Sequence, residues 1–199
     1  MSGSFPISSA QFETLGIKSI QDTILSKSVS GKKLSRQIDG QRWAFTARII
    51  TAKRSDVYGE LMAFIVKQRS GKENFTIVPP EIEDARGTAS GTPNGTASAG
   101  ATSITLAGTG TGTLKAGDFI KFASHDKVYM VVADQSDIST GSLTIEPPLT
   151  TAVSSSDIQF DNVPFTVYLK NDIQDFGVSG VDKDGNLHYE FQFDVEETL

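Results

Sequence analysis

The chain has 199 residues and a formal charge of −6, long enough for one large or two small domains with a real core. It contains no cysteine, which removes disulfides, thiolate zinc sites and cysteine nucleophiles. The acidic total argues against tight nucleic-acid binding, because phosphate contacts need a surplus of Lys and Arg.

Met1 to Ala10 has neither a basic start nor an apolar run, and no later run approaches the roughly 20 apolar residues of a membrane-spanning helix. The expectation is a soluble, intracellularly made protein without membrane insertion. Ile17 to Val29 and Leu34 to Ile50 read as two long β segments, with Ser30 to Lys33 as the hairpin turn. In the second, Trp43, Phe45, Ala47 and Ile49 alternate with Arg42, Thr46 and Arg48, so one face is buried and one wet. Ser55 is expected to cap a helix whose stripe runs Val57, Leu61, Phe64 and Ile65, widened by Tyr58 and Met62. Lys67 and Arg69 fall in its last turn, and Gly71 follows as the expected C-terminal cap. Asn74 to Val78 is a strand stopped by Pro79-Pro80.

Composition then shifts. Gly87 to Gly112 is dominated by Gly, Ala, Ser and Thr and reads as linker and loop around one strand, Thr102 to Leu106. Leu114 to Val132 is a hairpin in which Phe119–Phe122 and Lys127–Met130 alternate about a Ser124-His125-Asp126 turn. A further strand, Ser142 to Glu146, ends at Pro147-Pro148. Strands this short suit a small barrel or sandwich. Thr150 to Ser156 reads as a second polar linker. Strand patterns resume at Phe165 to Leu169, Phe176 to Val181 and Leu187 to Val195, where Leu187, Tyr189, Phe191, Phe193 and Val195 share a face. That face needs a partner larger than the small unit offers. The organisation expected is therefore a discontinuous domain, 1–86 plus 161–199, with a small β domain inserted at 87–160. Trp43, Phe45, Leu61, Phe64, Phe165, Val167, Tyr189, Phe191 and Phe193 should share one core.

Charge is unevenly spread. Residues 1–60 carry +4, 61–86 balance, 87–160 carry −3 and 161–199 carry −7. The basic and acidic ends should attract each other, within a subunit or between neighbours.

No motif makes a convincing catalytic, cofactor-binding or metal site. Gly108-Thr109-Gly110-Thr111-Gly112 lacks the spacing of a phosphate loop and opens no helix, so it reads as a flexible loop. Asp182-Lys183-Asp184-Gly185-Asn186 has its Gly too early for a calcium loop and lacks the closing Glu, so it reads as a hairpin turn. His125 beside Asp126 reads as a solvated turn histidine, and His188 lies in a strand, so neither a metal trio nor a triad assembles. Asn74-Phe75-Thr76 and Asn94-Gly95-Thr96 match glycosylation acceptors, relevant only to a secreted chain. Glu81/Glu83 and Glu196/Glu197 read as solvated charges. No enzyme activity and no cofactor are assigned.

Several segments resemble tail proteins of bacteriophages: Ser4-Phe5-Pro6, Gly40 to Thr46, Phe64 to Arg69 and Phe75 to Pro80. Gly117 to Phe122, Lys127 to Val131 and Ile145 to Leu149 resemble the inserted module of their distal tail or baseplate proteins. The resemblance implies a mainly β fold, with a β-sandwich or split-barrel core, one flanking helix and an inserted small barrel-like domain. It also implies a homo-oligomeric, hexameric ring in the virion tail, assembled in the host bacterial cytoplasm. Such a ring contacts the tail tube above and the hub or baseplate proteins below, and DNA passes through it without specific binding. The strand–strand–helix–strand order is similar to that of tail tube subunits, but an insertion favours the distal position. A receptor- or carbohydrate-binding tail module is the alternative. Its stacking aromatics in 87–160 would have to come from Phe119, Phe122, Tyr129 and Phe160.

Overall fold

A computed structural model describes residues 3–7, 11–37 and 40–198. Its strands are β1 (Phe12–Ile20), β2 (Thr23–Lys27), β3 (Lys33–Gln37), β4 (Arg42–Lys53), β5 (Phe75–Ile77), β6 (Pro93–Ala97) and β7 (Ser103–Gly108). The series continues with β8 (Phe119–Phe122), β9 (Val128–Val131), β10 (Ser142–Glu146), β11 (Val153–Gln159), β12 (Phe165–Leu169), β13 (Phe176–Val181) and β14 (Leu187–Glu197). One α-helix, α1 (Gly59–Lys67), follows a wide helical turn at Arg54–Tyr58. The fold is mainly β, as expected, with a small closed barrel beside the helix-flanked sheet.

The larger sheet is antiparallel and runs β1-β4-β14-β12-β5, with β13 adding to β14. β4 is an interior strand, flanked by β1 and β14, and its alternation buries Trp43, Phe45, Ala47 and Ile49. β14 runs beside it, Val195 opposite Phe45 and His188 opposite Lys53. The expected shared core forms, and α1 closes it with Leu61 and Ile65, while Phe64 and Tyr189 are only partly buried. Phe5 supports that edge, packing edge-on to Phe64 at 5.8 Å and against Phe193 at 5.2 Å.

Several local expectations are corrected. The two long N-terminal segments each split, into β1 and β2 and into β3 and β4; Ile38 and Asp39 of the second lie outside the described residues. Ser55 does not cap the helix, since its hydroxyl donates to Asp56 Oδ1 and the chain takes the wide turn before α1 begins. Nor is Gly71 the C-terminal cap. Arg69 takes the left-handed conformation at φ 52°, while Gly71 lies where a Cβ would come 2.7 Å from the Leu169 carbonyl oxygen. That glycine is needed for close approach to β12, not for helix termination.

The largest correction concerns the low-charge tract. β6 lies inside Gly87–Gly112, and β11 occupies most of Thr150–Ser156, so both predicted linkers supply barrel strands. The barrel closes in the order β10-β7-β6-β11-β8-β9, which leaves no free edge. Sparse apolar residues suffice because the lumen is narrow. Phe122, Ile104 and Ile158 fill it, and a Cβ on Gly95 would lie 2.7 Å from Ile104 Cγ2 and 2.9 Å from Phe122 Cε1. Small residues in β6 are what let large ones on neighbouring strands fit.

The two connections between sheet and barrel run side by side, Ala85 N–H donating to Phe160 O and Val163 N–H to Glu83 O. Replacing 87–160 with a short Gly/Ser linker is therefore expected to leave a remainder that still unfolds cooperatively, since the loop ends already meet. Its stability should be lower, because barrel residues Phe119 and Val128 belong to the sheet's core. A denaturation curve without a cooperative transition would show that the sheet cannot stand alone.

Candidate functional site

The structure disperses the residues with chemical potential instead of gathering them. Gly108–Gly112 faces 88–92 in a ribbon of paired hydroxyls, Ser90 with Thr111 at 2.9 Å and Thr92 with Thr109 at 2.9 Å. It is a bridged ribbon and not the expected flexible loop. Asp182–Asn186 is the β13–β14 turn, as expected, with Asp182 Oδ1 accepting from the Asp184 and Asn186 N–H groups at 2.9 Å each. Lys53, at 2.9 Å, and then Asn186 hold the Asp182 carboxyl well below its usual range. His188 Nε2 lies 3.6 Å from Asp182, far along the chain from His125.

His125 is not the solvated histidine expected. It stacks on Phe122, and its Nε2 lies 2.9 Å from the Tyr129 hydroxyl, which also bonds to Thr150. Burial lowers its pKa below the ordinary histidine value, against the pull of Asp126. Asn74 precedes β5, and Asn94 sits within β6. Among the described residues, no three His, Cys, Asp or Glu side chains are placed to hold a metal ion.

Sequence reasoning missed the most consequential polar cluster. Glu196 and Glu197 are buried, contrary to the expectation of solvated charges. Glu196 pairs with Arg42 at 3.2 Å and with Lys170 at 3.2 Å. Glu197 lies between sheet and barrel, fully enclosed. Its Oε1 accepts from Val128 N–H at 2.8 Å, and its Oε2 accepts from Trp43 N–H at 3.1 Å and from the Lys127 ammonium. Lys127 donates also to Gln41 Oε1 at 2.9 Å. Burial pushes Lys127 down and Glu197 up, each opposed by the other's charge. The signal was present: Glu197 continues the parity of Phe191, Phe193 and Val195, so the alternation itself aims it inward.

The same junction is packed as well as bonded. Trp43 donates its indole N–H to Val128 O at 3.0 Å and meets Phe119 edge-on at 5.1 Å. Arg86 and the Lys115 N–H converge on buried Asp118, fastening the incoming connection to the barrel. A cleft of about 420 Å³ opens beside the junction, lined by Ser19, Gln21, Gln41, Trp43, Met130, Glu146 and Pro147. The arrangement joins two units firmly, and its residues are committed to each other. Geometrically it is a joint.

The attraction expected between the basic and acidic ends of the chain is made within the subunit. Besides Arg42 with Glu196, Arg48 bridges Glu13 at 3.1 Å and Glu190 at 2.6 Å, and Lys53 pairs with Asp182. These pairs tie β4 to β1, to β14 and to the β13–β14 turn. Two hairpins contrast with this compensated sheet. Every residue of β2 and β3 is exposed, and exposed apolar side chains recur on β13 and its turn.

The four aromatic residues of 87–160 are all buried, so the barrel presents no aromatic platform of the kind that stacks on sugars. No helix among the described residues is long and apolar enough to cross a membrane. A search of curated proteins finds no match. Residues 83–163 match the family model described as the B domain of distal tail protein pb9. Those residues span the whole barrel and both of its connections, so the barrel is similar to the B domain of a phage distal tail protein, a likeness that supports a structural role in a phage tail.

Proposed function

We propose that the protein is a ring subunit of a phage tail tip, a distal tail protein that joins the tail tube to the hub or receptor-binding apparatus. The observation that carries this reading is the distal-tail B-domain barrel inserted into a helix-flanked sheet and fixed to it by the Trp43–Lys127–Glu197 joint. A part that transmits position between a tube and a tip needs a stiff connection between its two units, and a buried, mutually bonded joint supplies one. Six copies, the number expected for a ring in line with the tube, would carry −36 in total. A neutral-to-acidic channel would let DNA pass without phosphates being trapped by Lys and Arg. Assembly would take place in the host cytoplasm before the ring joins the virion. The protein would then be non-enzymatic, a role with which its dispersed polar groups agree.

A tail tube subunit proper is the alternative, and the inserted barrel argues against it. Imaging of assembled tails tests the proposal. The expected result is a closed, six-fold ring of this chain at the tube's distal end, its lumen free of a basic lining. A single copy on a fibre, or a strongly basic lumen, would overturn it.

A further inference from the structure

The exposed apolar residues are not scattered. Of the twelve large hydrophobic side chains that stand exposed among the described residues, eight lie in two places. Ile24, Leu25, Val29 and Leu34 belong to the β2–β3 hairpin, and Ile173, Val178, Val181 and Leu187 to β13, its approach and the facing start of β14. Isolated two-stranded hairpins are marginal in water, and β2–β3 forms its own two-stranded sheet. Among the described residues, β13 pairs only with β14 and leaves its other edge without a strand. Free edges and exposed apolar side chains in the same places mark surfaces that a partner covers.

Their charges are opposite. Residues 23–37 contain Lys27, Lys32, Lys33 and Arg36 and no acid. None of these four forms an ion pair among the described residues, nor do Asp172, Asp175 and Asp184 near β13. The sheet's register then decides whether the two surfaces can meet within one molecule. β1 places Ile20 opposite Arg42, so the β2–β3 hairpin leaves from the Arg42 end of β4. β14 places His188 opposite Lys53, so the β13–β14 turn lies at the other end. Twelve residues of strand separate those ends by roughly 36 Å at about 3.3 Å per residue. The match is therefore one between molecules.

We propose that the β2–β3 hairpin of one copy seats against the free edge of β13 in a neighbouring copy, head to tail. Ile24 and Leu34 share one face of the hairpin with Arg36 and cover Val178 and Val181, while Arg36 and the turn and rear-face lysines Lys32, Lys27 and Lys33 reach around the hairpin to Asp172, Asp175 and Asp184. Such a contact is heterologous, and when its rotation closes it generates a ring. The inference rests on the ring-subunit reading and names the surfaces that would build the ring.

Zero-length carbodiimide coupling in assembled tails tests it. Lys27, Lys32 or Lys33 is expected to couple to Asp172, Asp175 or Asp184, a link too long to form within one copy. Replacing Lys33→Glu with Arg36→Glu should reduce incorporation into tails at least tenfold, and adding Asp172→Lys with Asp175→Lys should restore it. All four positions lie on the surface, outside both cores. A ring seen by imaging whose hairpin lysines couple only to a different protein, or whose incorporation ignores the reversal, overturns this contact and leaves the ring reading standing. A single copy on a fibre overturns both.

Discussion

Lys127→Met is expected to destabilise the protein by about 3–5 kcal/mol at pH 7, the usual cost of stranding one partner of a buried ion pair. Lys127 and Glu197 are almost wholly inaccessible to solvent, so water cannot replace the lost partner. The carboxylate would keep its bonds from the Trp43 and Val128 N–H groups but lose its counter-charge. Glu197→Gln added to Lys127→Met should recover much of the loss, because a neutral amide is far cheaper to bury than an unpaired carboxylate. The single variant should also show a distinct pH response. Burial already raises the Glu197 pKa, and without Lys127 nothing of opposite charge opposes that rise. A carboxyl whose folded pKa lies above its unfolded value contributes stability at low pH and loses it as pH rises through the folded pKa. The deficit of Lys127→Met relative to the parent should therefore shrink between pH 7 and pH 4. Denaturant unfolding of the three proteins at both pH values checks the sign. A pH-independent deficit below about 1 kcal/mol would mean that Glu197 reaches water after all.

How much of this was legible beforehand depended on the length scale of each signal. Strands rich in large apolar residues that alternate with polar or small ones, such as β12, β13 and the start of β14, fall where their pattern places them. β6 and β11 did not, because barrel strands rich in Gly, Ser and Thr look like linker until closure sets their small residues against the large side chains of neighbouring strands. The helix was legible from its stripe, its start was not. Ser55 has the chemistry of a cap, but the chain takes an extra wide turn that buries Tyr58 and sends its hydroxyl to Ile50 O at 3.1 Å. Burial raises the pKa of that tyrosine to about 12. The joint was hidden for another reason. A Glu-Glu pair near a strand end is usually solvated, and only the register of a distant hairpin brings Lys127 to Glu197. The parity of Glu197 points it inward, but a partner 70 residues away leaves no local trace.

Phe191→Ala is expected to cost about 3–5 kcal/mol, the range for truncating a fully buried aromatic side chain. Phe191 is 1% exposed and stacks between Phe176 at 4.5 Å and Phe193 at 5.4 Å, so removal leaves a cavity bounded by rings that are themselves pinned. Its backbone pairs with both β13 and β4, which restricts collapse around the gap. Phe64→Ala should cost clearly less. Phe64 is only partly buried, at the margin of the core against Phe5 and Phe75, where neighbouring side chains and water can fill the space. The two substitutions thus separate the sheet's interior from its rim. Phe191→Ala should also weaken the anchorage of β13, whose Phe176 ring rests on it, so hydrogen exchange there should accelerate more than in the barrel. Equal losses at the two sites, measured by denaturant unfolding, would show that α1 and the sheet share one uniformly packed interior. Faster exchange in the barrel than in β13 would show that the joint, and not the sheet, yields first.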